Sequence, residues 1–220
     1  MATPKRAPAS DAPTLPDCTF AVVDVETTGS SPRTGDRVTE VAAVVVEDGR
    51  IEPAFQSLVN PGRPIPAFIT GLTGISDAMV ADAPSFADIA DALAQTLSAG
   101  TFVAHNAPFD WGFLSMEFAR ADRPAALSGS PLCTVRLARR LLAHLPRRNL
   151  DSVAWHYGIE IESRHRALGD ARATAHVLQG LLRDAERQQG IETLGALQEW
   201  LATRAATSRK RRSAMPRPVD

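Results

Sequence analysis

Apolar residues recur with two different periods along the chain, and together these periods predict a mixed α/β domain. Unbroken or alternating apolar stretches predict strands over residues 20–26, 37–47, 51–59 and 101–105. Asp48 and Gly49, between the second and third stretches, predict a hairpin turn, so the opening strands are expected to be antiparallel. Apolar residues at helical spacing predict helices over residues 85–98, from about 106 onward, and over 134–143, 150–157, 167–187 and 191–205.

The pattern weakens between the third strand and the first of these helices. Residues 60–66 include three prolines and a glycine and predict a loop. Residues 69–75 contain two glycines, which we take to be too many for a stable helix interior. Leu72 in this stretch is either an exposed contact or a plug in the core, and composition alone favours the plug.

The composition indicates one folded unit with tails. The chain has 220 residues, 44% of them apolar, which is enough for one sizeable core. Only two cysteines are present, Cys18 and Cys133, which excludes a disulfide framework and fits a reducing, cytoplasmic location. No apolar run approaches the length of a membrane span. We expect a disordered leader over residues 1–17, a main domain over 18–189, a C-terminal helix over 190–206 and a basic disordered tail over 207–220.

Carboxylates stand at the ends of several predicted elements. Asp24 and Glu26 close the first strand, and because strand side chains alternate, they point to the same face. Two adjacent carboxylates repel unless a cation lies between them, and hard oxygen ligands suit Mg²⁺ or Mn²⁺. Asp110 falls in the first turn of the helix after the fourth strand. Asp170 lies in the opening turns of the helix over 167–187, and His165 lies just before that helix.

Each of these residues has an ordinary structural interpretation when it is taken alone. A strand end is often acidic, an acid near a helix N-terminus is favoured by the helix dipole, and a loop histidine is usually a solvated polar residue. The formal net charge is −1, so the overall charge does not indicate a nucleic-acid partner, and the argument rests on the acids taken together. Four acids that converge would repel strongly unless metal ions lay between them.

Three motifs carry a resemblance to a known family. Val-Asp-Val-Glu-Thr-Thr-Gly at 23–29, His-Asn-Ala-Pro-Phe-Asp at 105–110 and His-Arg-Ala-Leu-Gly-Asp at 165–170 occur in that order. They resemble the three motifs of the DEDDh branch of DnaQ-like 3′–5′ exonucleases, the family of the DNA polymerase III epsilon proofreading subunit. The resemblance covers about residues 19–187 and implies an RNase H-like fold with a mixed five-stranded sheet flanked by helices.

The resemblance also implies a set of site residues. In the family four acids bind two divalent ions, here two Mg²⁺ or Mn²⁺, and a histidine takes a proton from the attacking water; by motif match these are Asp24, Glu26, Asp110, Asp170 and His165. The residues that would bind the terminal nucleotide are Thr27, Thr28, Leu72, His105, Asn106 and Phe109. The expected product is a nucleoside 5′-monophosphate.

The expected function is 3′–5′ hydrolysis of DNA in proofreading or DNA repair, with nucleic acid as the partner. RNA is the alternative substrate, because members of this family trim RNA with the same acids and the sequence does not separate the two polymers. A non-catalytic docking module with the same fold is a further alternative. Such a module would have no physical reason to keep mutually repelling acids together. A DNA polymerase is a possible protein partner, no membrane partner is expected, and the oligomeric state is left open. The basic tail could add salt-dependent affinity for the nucleic-acid backbone.

Overall fold

The computed structural model describes residues 13–203, which form one α/β domain. The strands are β1 (Phe20–Thr27), β2 (Val38–Glu47), β3 (Arg50–Leu58), β4 (Thr101–Ala104) and β5 (Leu132–Cys133). The helices are α1 (Ala67–Thr73), α2 (Asp77–Val80), α3 (Phe86–Leu97), α4 (Ala107–Arg120), α5 (Thr134–Leu141), α6 (Leu150–His156), α7 (Ala167–Gln189) and α8 (Leu194–Ala202). Short 3₁₀ turns at Leu15–Asp17 and Pro32–Thr34 complete the described elements.

The five strands form one mixed sheet in the order β3-β2-β1-β4-β5. β1 pairs antiparallel with β2, and β2 pairs antiparallel with β3, as the hairpin turn predicts. β4 pairs parallel with β1 and β5 pairs parallel with β4. The predicted fold class, a mixed five-stranded sheet flanked by helices, is confirmed.

The alternation of side chains along β1 divides the core into two layers. Phe20 and Val22 pack on the face covered by α5, α6 and α7, whereas Val23 and Val25 pack on the opposite face, against α3 and α4. Because successive side chains change faces, Asp24 and Glu26 continue the row of Phe20 and Val22 toward α7. The core therefore directs the two acids toward the helix that carries Asp170.

The segment that was expected to be too glycine-rich for a helix is helical. α1 runs over Ala67–Thr73 and ends at Gly74, whose φ of 74° suits a glycine cap. Ile69 on α1 packs with Ile75 and Val80 in a small separate cluster, and this burial outweighs the helix penalty of glycine. Leu72, instead of plugging the core, is 52% exposed.

Two further boundaries differ from the predictions. Leu15 is buried and its N–H donates to the carbonyl of Glu192 at 2.7 Å, so the folded unit begins before the predicted leader boundary at residue 17. α8 is shorter than its pattern suggested, and Arg136 and Arg140 of α5 donate to carbonyl groups at its C-terminal end. The rest of the leader and the predicted basic tail lie outside the described residues. Within residues 13–203 no helix has the length and apolar character needed to cross a membrane.

Candidate active site

The first two acids lie at the carboxyl end of β1, the central strand of the sheet. Asp24 pairs in register with Ala42 of β2, and Glu26 pairs with Glu40, immediately before a register shift between Glu26 and Thr27. Both side chains are partly exposed, whereas Val25 between them is buried. Alternation thus brings two carboxylates to one face of a strand whose preceding residues are all buried.

Asp110 reaches this strand from the other side. It lies in the first turn of α4 and is 3% exposed, and its Oδ1 accepts a hydrogen bond of 3.2 Å from the backbone N–H of Val25. The chain enters α4 through Asn106, whose φ of 73° is in the left-handed region that asparagine tolerates better than most residues. A third carboxylate therefore contacts the residue between Asp24 and Glu26.

Asp170 and His165 complete the cluster from the start of α7. His165 has a φ of 63°, and its N–H donates to Asp170 Oδ2 at 3.3 Å, which fixes the loop to the helix. One ligand atom each from Glu26, His165 and Asp170 can lie within 4.8 Å of the others. The structure thus brings together all five residues that the motif match singled out.

These five residues fit a metal site by their chemistry. Asp170 Oδ1 is buried and has no hydrogen-bond partner among residues 13–203, which is costly for a carboxylate oxygen unless a cation binds it. Four carboxylates and an imidazole form an oxygen-rich donor set of the kind that Mg²⁺ and Mn²⁺ prefer.

Burial raises the pKa values of all four acids, and neighbouring carboxylates add to this for Asp24, Glu26 and Asp110. Burial, followed by the charges of Asp110, Glu26 and Asp170, raises the pKa of Asp24 well above its ordinary value. Burial is also the largest cause for the raised pKa values of Asp110 and Asp170. Burial, with the charges of Asp170 and Glu40, raises the pKa of Glu26 to about 7. The folded protein therefore pays an electrostatic cost when the cluster is fully ionised.

We expect this cost to appear as a fall in stability with rising pH when metal is chelated. Between the ordinary glutamate pKa of 4.5 and about 7, the folded state keeps a proton on Glu26 that the unfolded state has lost. Stability therefore decreases as pH rises through this window, by about 2–3 kcal/mol from Glu26 alone. Urea denaturation in EDTA from pH 5 to pH 8 measures the effect, and the stability advantage of Glu26→Gln over the wild type should grow from pH 5 to pH 8.

Glu52→Gln is the matched control, because Glu52 is an exposed glutamate on β3 of the same sheet. It should follow the wild-type pH profile. Parallel profiles for Glu26→Gln and the wild type would contradict the raised pKa of Glu26.

Two arginines that flank His165 were missed by the sequence interpretation. Arg166 forms a two-pronged ion pair with the fully buried Glu40, with distances of 3.0 and 2.9 Å, and the N–H of Ala167 donates to the same carboxylate at 3.0 Å. Arg164 contacts Asp170 and also pairs with Asp151 at the start of α6. The first pair ties the loop of His165 to β2, and the second ties it to α6.

Gly169 lets the same loop lie against α7. A Cβ atom at this position would come within 1.9 Å of the carbonyl oxygen of Glu162, too close for any side chain. The glycine between His165 and Asp170 therefore permits a backbone approach that holds the loop in place.

The two threonines after β1 mainly build the turn. Thr27 Oγ1 donates to the carbonyl of Gly29 at 2.6 Å, which leaves its lone pairs able to accept a further bond. Thr28 is 1% exposed, and its hydroxyl accepts the N–H of Arg37 at 3.0 Å. Their predicted contacts to a nucleotide stay predictions, and for the Thr28 hydroxyl burial limits any direct contact.

His105 is held inside the protein by both ring nitrogens. Nε2 lies 3.0 Å from the carbonyl of Arg148, which can only accept, so Nε2 carries the proton and Nδ1 accepts from the hydroxyl of Thr134 at 2.8 Å. Burial lowers the pKa of His105 to about 4, so the ring is neutral near pH 7. His105 therefore fixes the end of β4 to α5 and to the loop of Arg148, and direct nucleotide contact through its ring nitrogens would require breaking these bonds.

The remaining predicted contact residues differ in exposure. Asn106 is exposed, and Leu72 projects from α1 together with Phe68, one helical turn earlier and 70% exposed. Phe109 is partly buried and packs against Phe113, with ring centroids 4.8 Å apart. Leu72 and Asn106 are thus the members of the predicted set with the most accessible side chains.

The fold, with an acidic cluster at the end of its first strand, is that of solved α/β exonucleases. Solved structures with this fold include Exonuclease X in complex with 5′-overhanging duplex DNA, which is 29% identical with a TM-score of 0.60 over 78% of this chain and 93% of that one. Escherichia coli Exonuclease I with a dT13 oligonucleotide has a TM-score of 0.68 over 78% of this chain and 42% of that one, at 21% identity, and shows the fold alone.

The chain belongs to the exonuclease family, because the family model described as RNase T, exonuclease, matches residues 21–178. A DNA polymerase III subunit epsilon-like protein of Rhodobacter capsulatus is 40% identical over 83% of this chain. The 3′–5′ exonuclease DinG of Bacillus subtilis is 38% identical over 81% of it. The chain spans only 26% and 19% of the length of these two relatives, respectively. The resemblance that the three motifs predicted is confirmed at the level of the family.

Proposed function

We propose that this chain is a metal-dependent exonuclease domain that hydrolyses DNA from the 3′ end to nucleoside 5′-monophosphates. The observation that carries the proposal is the meeting of four carboxylates and a histidine at the end of β1, where burial and neighbouring carboxylates raise the pKa values of Asp24 and Glu26. A cluster this costly is expected where a cation is bound. The relative named 3′–5′ exonuclease and the similar structure of Exonuclease X on DNA support the same reaction and polymer.

The residues that would hold two Mg²⁺ or Mn²⁺ are Asp24, Glu26, Asp110 and Asp170. When bound, two divalent cations supply positive charge to the scissile phosphate and to the leaving 3′ oxygen. Asp170 offers a buried oxygen without another partner, and Asp110 is held by the N–H of Val25, so the backbone of β1 sets its orientation. The protein's contribution is thus to hold negatively charged groups in place before the ions arrive.

His165 would take the proton of the attacking water. The hydrogen bond from its N–H to Asp170 and the Arg166–Glu40 pair beside it hold the imidazole next to the acids. Arg164 Nη1 lies 3.3 Å from Nδ1 of the ring, and an imidazole that lies near the acids in this way can take a proton from a water molecule held there.

Leu72, Asn106 and Thr27 would contact the 3′-terminal nucleotide. Leu72 on α1 and Asn106 before α4 are accessible, whereas Thr27 is only 5% exposed and would contribute the lone pairs of its hydroxyl, which can accept a hydrogen bond from a sugar hydroxyl. We assign Thr28, His105 and Phe109 to the support of this pocket, because their polar atoms or rings are engaged within the protein.

The biological setting that we propose is proofreading or DNA repair. The epsilon-like relative of DNA polymerase III supports it, and a DNA polymerase is the corresponding candidate partner. Trimming of RNA by the same acids is the alternative, and it differs only in how the sugar of the terminal nucleotide is recognised.

Digestion of matched DNA and RNA oligonucleotides tests the proposal. Each would carry a label at its 5′ end and would be incubated with Mg²⁺ or Mn²⁺, with a copy blocked by a 3′-phosphate as the control for polarity. We expect a ladder that shortens from the free 3′ end of DNA. A ladder on RNA alone would replace the proposed substrate, and no metal-dependent ladder on either polymer would refute the proposed activity.

A further inference from the structure

Arg164 contacts two residues of the acidic cluster although it belongs to none of the three motifs. Its Nη1 donates to Asp170 Oδ2 and lies 3.3 Å from His165 Nδ1. A guanidinium can only donate, so His165 Nδ1 must be the acceptor in this contact. One arginine nitrogen therefore holds a carboxylate oxygen of the proposed metal site and the lone pair of the proposed base.

The same arginine has a second anchor outside the cluster. Its Nε donates to Asp151 Oδ1 at 2.8 Å, and its Nη2 lies 3.4 Å from Asp151 Oδ2. These bonds use nitrogens other than Nη1. Because the guanidinium is rigid, Arg164 can leave Asp170 and His165 and still keep its pair with Asp151 if the half-exposed Asp151 side chain turns with it.

The charge of Arg164 acts on the other acids as well. Burial and the neighbouring carboxylates raise the pKa values of Asp24 and Glu26, and the positive charge of Arg164 opposes both rises. A divalent cation in the cluster would meet this charge as repulsion and would compete with Nη1 for the carboxylate of Asp170. Both the competition and the repulsion lower the affinity of the cluster for a divalent cation.

We propose that Arg164 is an internal cation that competes with the catalytic metal ions for the acidic cluster, and that Asp151 retains its guanidinium when the metal binds. This inference rests on the proposed metal site. It makes the pair of Arg164 and Asp151 a determinant of metal affinity, and in this role both are positioning residues.

The two partners should therefore have opposite effects on metal binding. Arg164→Gln removes the competitor and should tighten Mn²⁺ binding by about tenfold. Asp151→Asn removes the outer anchor, leaves Arg164 to the inner carboxylates and should weaken binding severalfold. The double variant should resemble Arg164→Gln, because Asp151 acts only through the arginine.

Calorimetric titration of each purified variant with Mn²⁺ alone, and thermal unfolding in EDTA, measure these effects. In EDTA, Arg164→Gln should melt below the wild type, because the acids lose their internal cation, and Mn²⁺ should raise its melting temperature more than that of the wild type. Arg123→Gln is the matched control: Arg123, in the turn after α4, forms a similar two-pronged pair with Asp91 of α3, at 2.7 and 3.2 Å.

The outcomes separate the inference from the proposed function. A wild-type protein that binds no Mn²⁺ would refute the metal site, and the inference with it. Mn²⁺ binding by the wild type that is unchanged or weaker in Arg164→Gln would refute the inference alone. Additive effects in the double variant would also overturn it, because Asp151 would then act by its own charge.

Discussion

Asp24→Asn should abolish metal-dependent hydrolysis while making the metal-free protein more stable. The amide keeps the shape of the carboxylate but cannot carry its charge. Burial and the charges of Asp110, Glu26 and Asp170 raise the pKa of the Asp24 carboxyl group. Removing that charge relieves repulsion in the fold and at the same time takes away a metal ligand. We expect turnover to fall by at least about a thousandfold, in the range seen when a main electrostatic contributor to catalysis is lost, and Mn²⁺ binding to weaken strongly.

The pairing of lost activity with raised stability separates a damaged site from a damaged fold. Turnover on a 5′-labelled oligonucleotide, Mn²⁺ titration and urea denaturation in EDTA at pH 8 give the three measurements. Glu47→Gln is the control, since Glu47 is an exposed acid at the far end of β2. Unchanged Mn²⁺ binding in Asp24→Asn would remove Asp24 from the metal site, and lower stability would show that its charge is not repelled in the fold.

The arrangement of Asp24 and Glu26 could be predicted because it depends on local geometry. Side chains alternate between the two faces of any strand. Val22 marks the face of β1 that Asp24 and Glu26 share, and Val23 and Val25 mark the opposite face. The antiparallel start of the sheet was also predictable, since the short turn at residues 48–49 permits no other pairing.

α1 could not be predicted because distant packing decides it. Gly71 and Gly74 argue against a helix when the segment is considered alone. In the fold, Ile69 is buried against residues before and after the helix, and burial of this kind outweighs about 1 kcal/mol of glycine penalty. The same packing turns Leu72 outward, so the exposure of that side chain also depended on contacts that a local pattern does not contain.

The arginines of the site were missed for a related reason. Glu40 and Arg166 are 126 residues apart, and no short motif joins them. The internal bonds of His105 to Thr134 and Arg148 likewise depend on where β4, α5 and the next loop meet. Motif matching identifies residues by their type, whereas the partner of each residue is set by the tertiary fold.

His165→Asn should slow hydrolysis by about a hundredfold to ten-thousandfold, the usual contribution of a positioned base. Asparagine tolerates the φ of 63° at this position, so the loop should keep its shape where alanine would add strain. The amide has no basic nitrogen and cannot accept the proton from water. Because the hydrogen bond to Asp170 comes from the backbone N–H, the substitution leaves that bond in place.

Metal affinity then separates two roles for the imidazole. One ligand atom of His165 can lie within 4.8 Å of ligand atoms from Glu26 and Asp170, close enough for the ring to bind metal as well as a proton. If it acts as the base, single-turnover rates fall while the Kd for Mn²⁺ stays within about threefold, a change of less than 1 kcal/mol. If the Kd rises in parallel with the loss of rate, the imidazole is a metal ligand, and the proton of the water must pass to another group of the cluster.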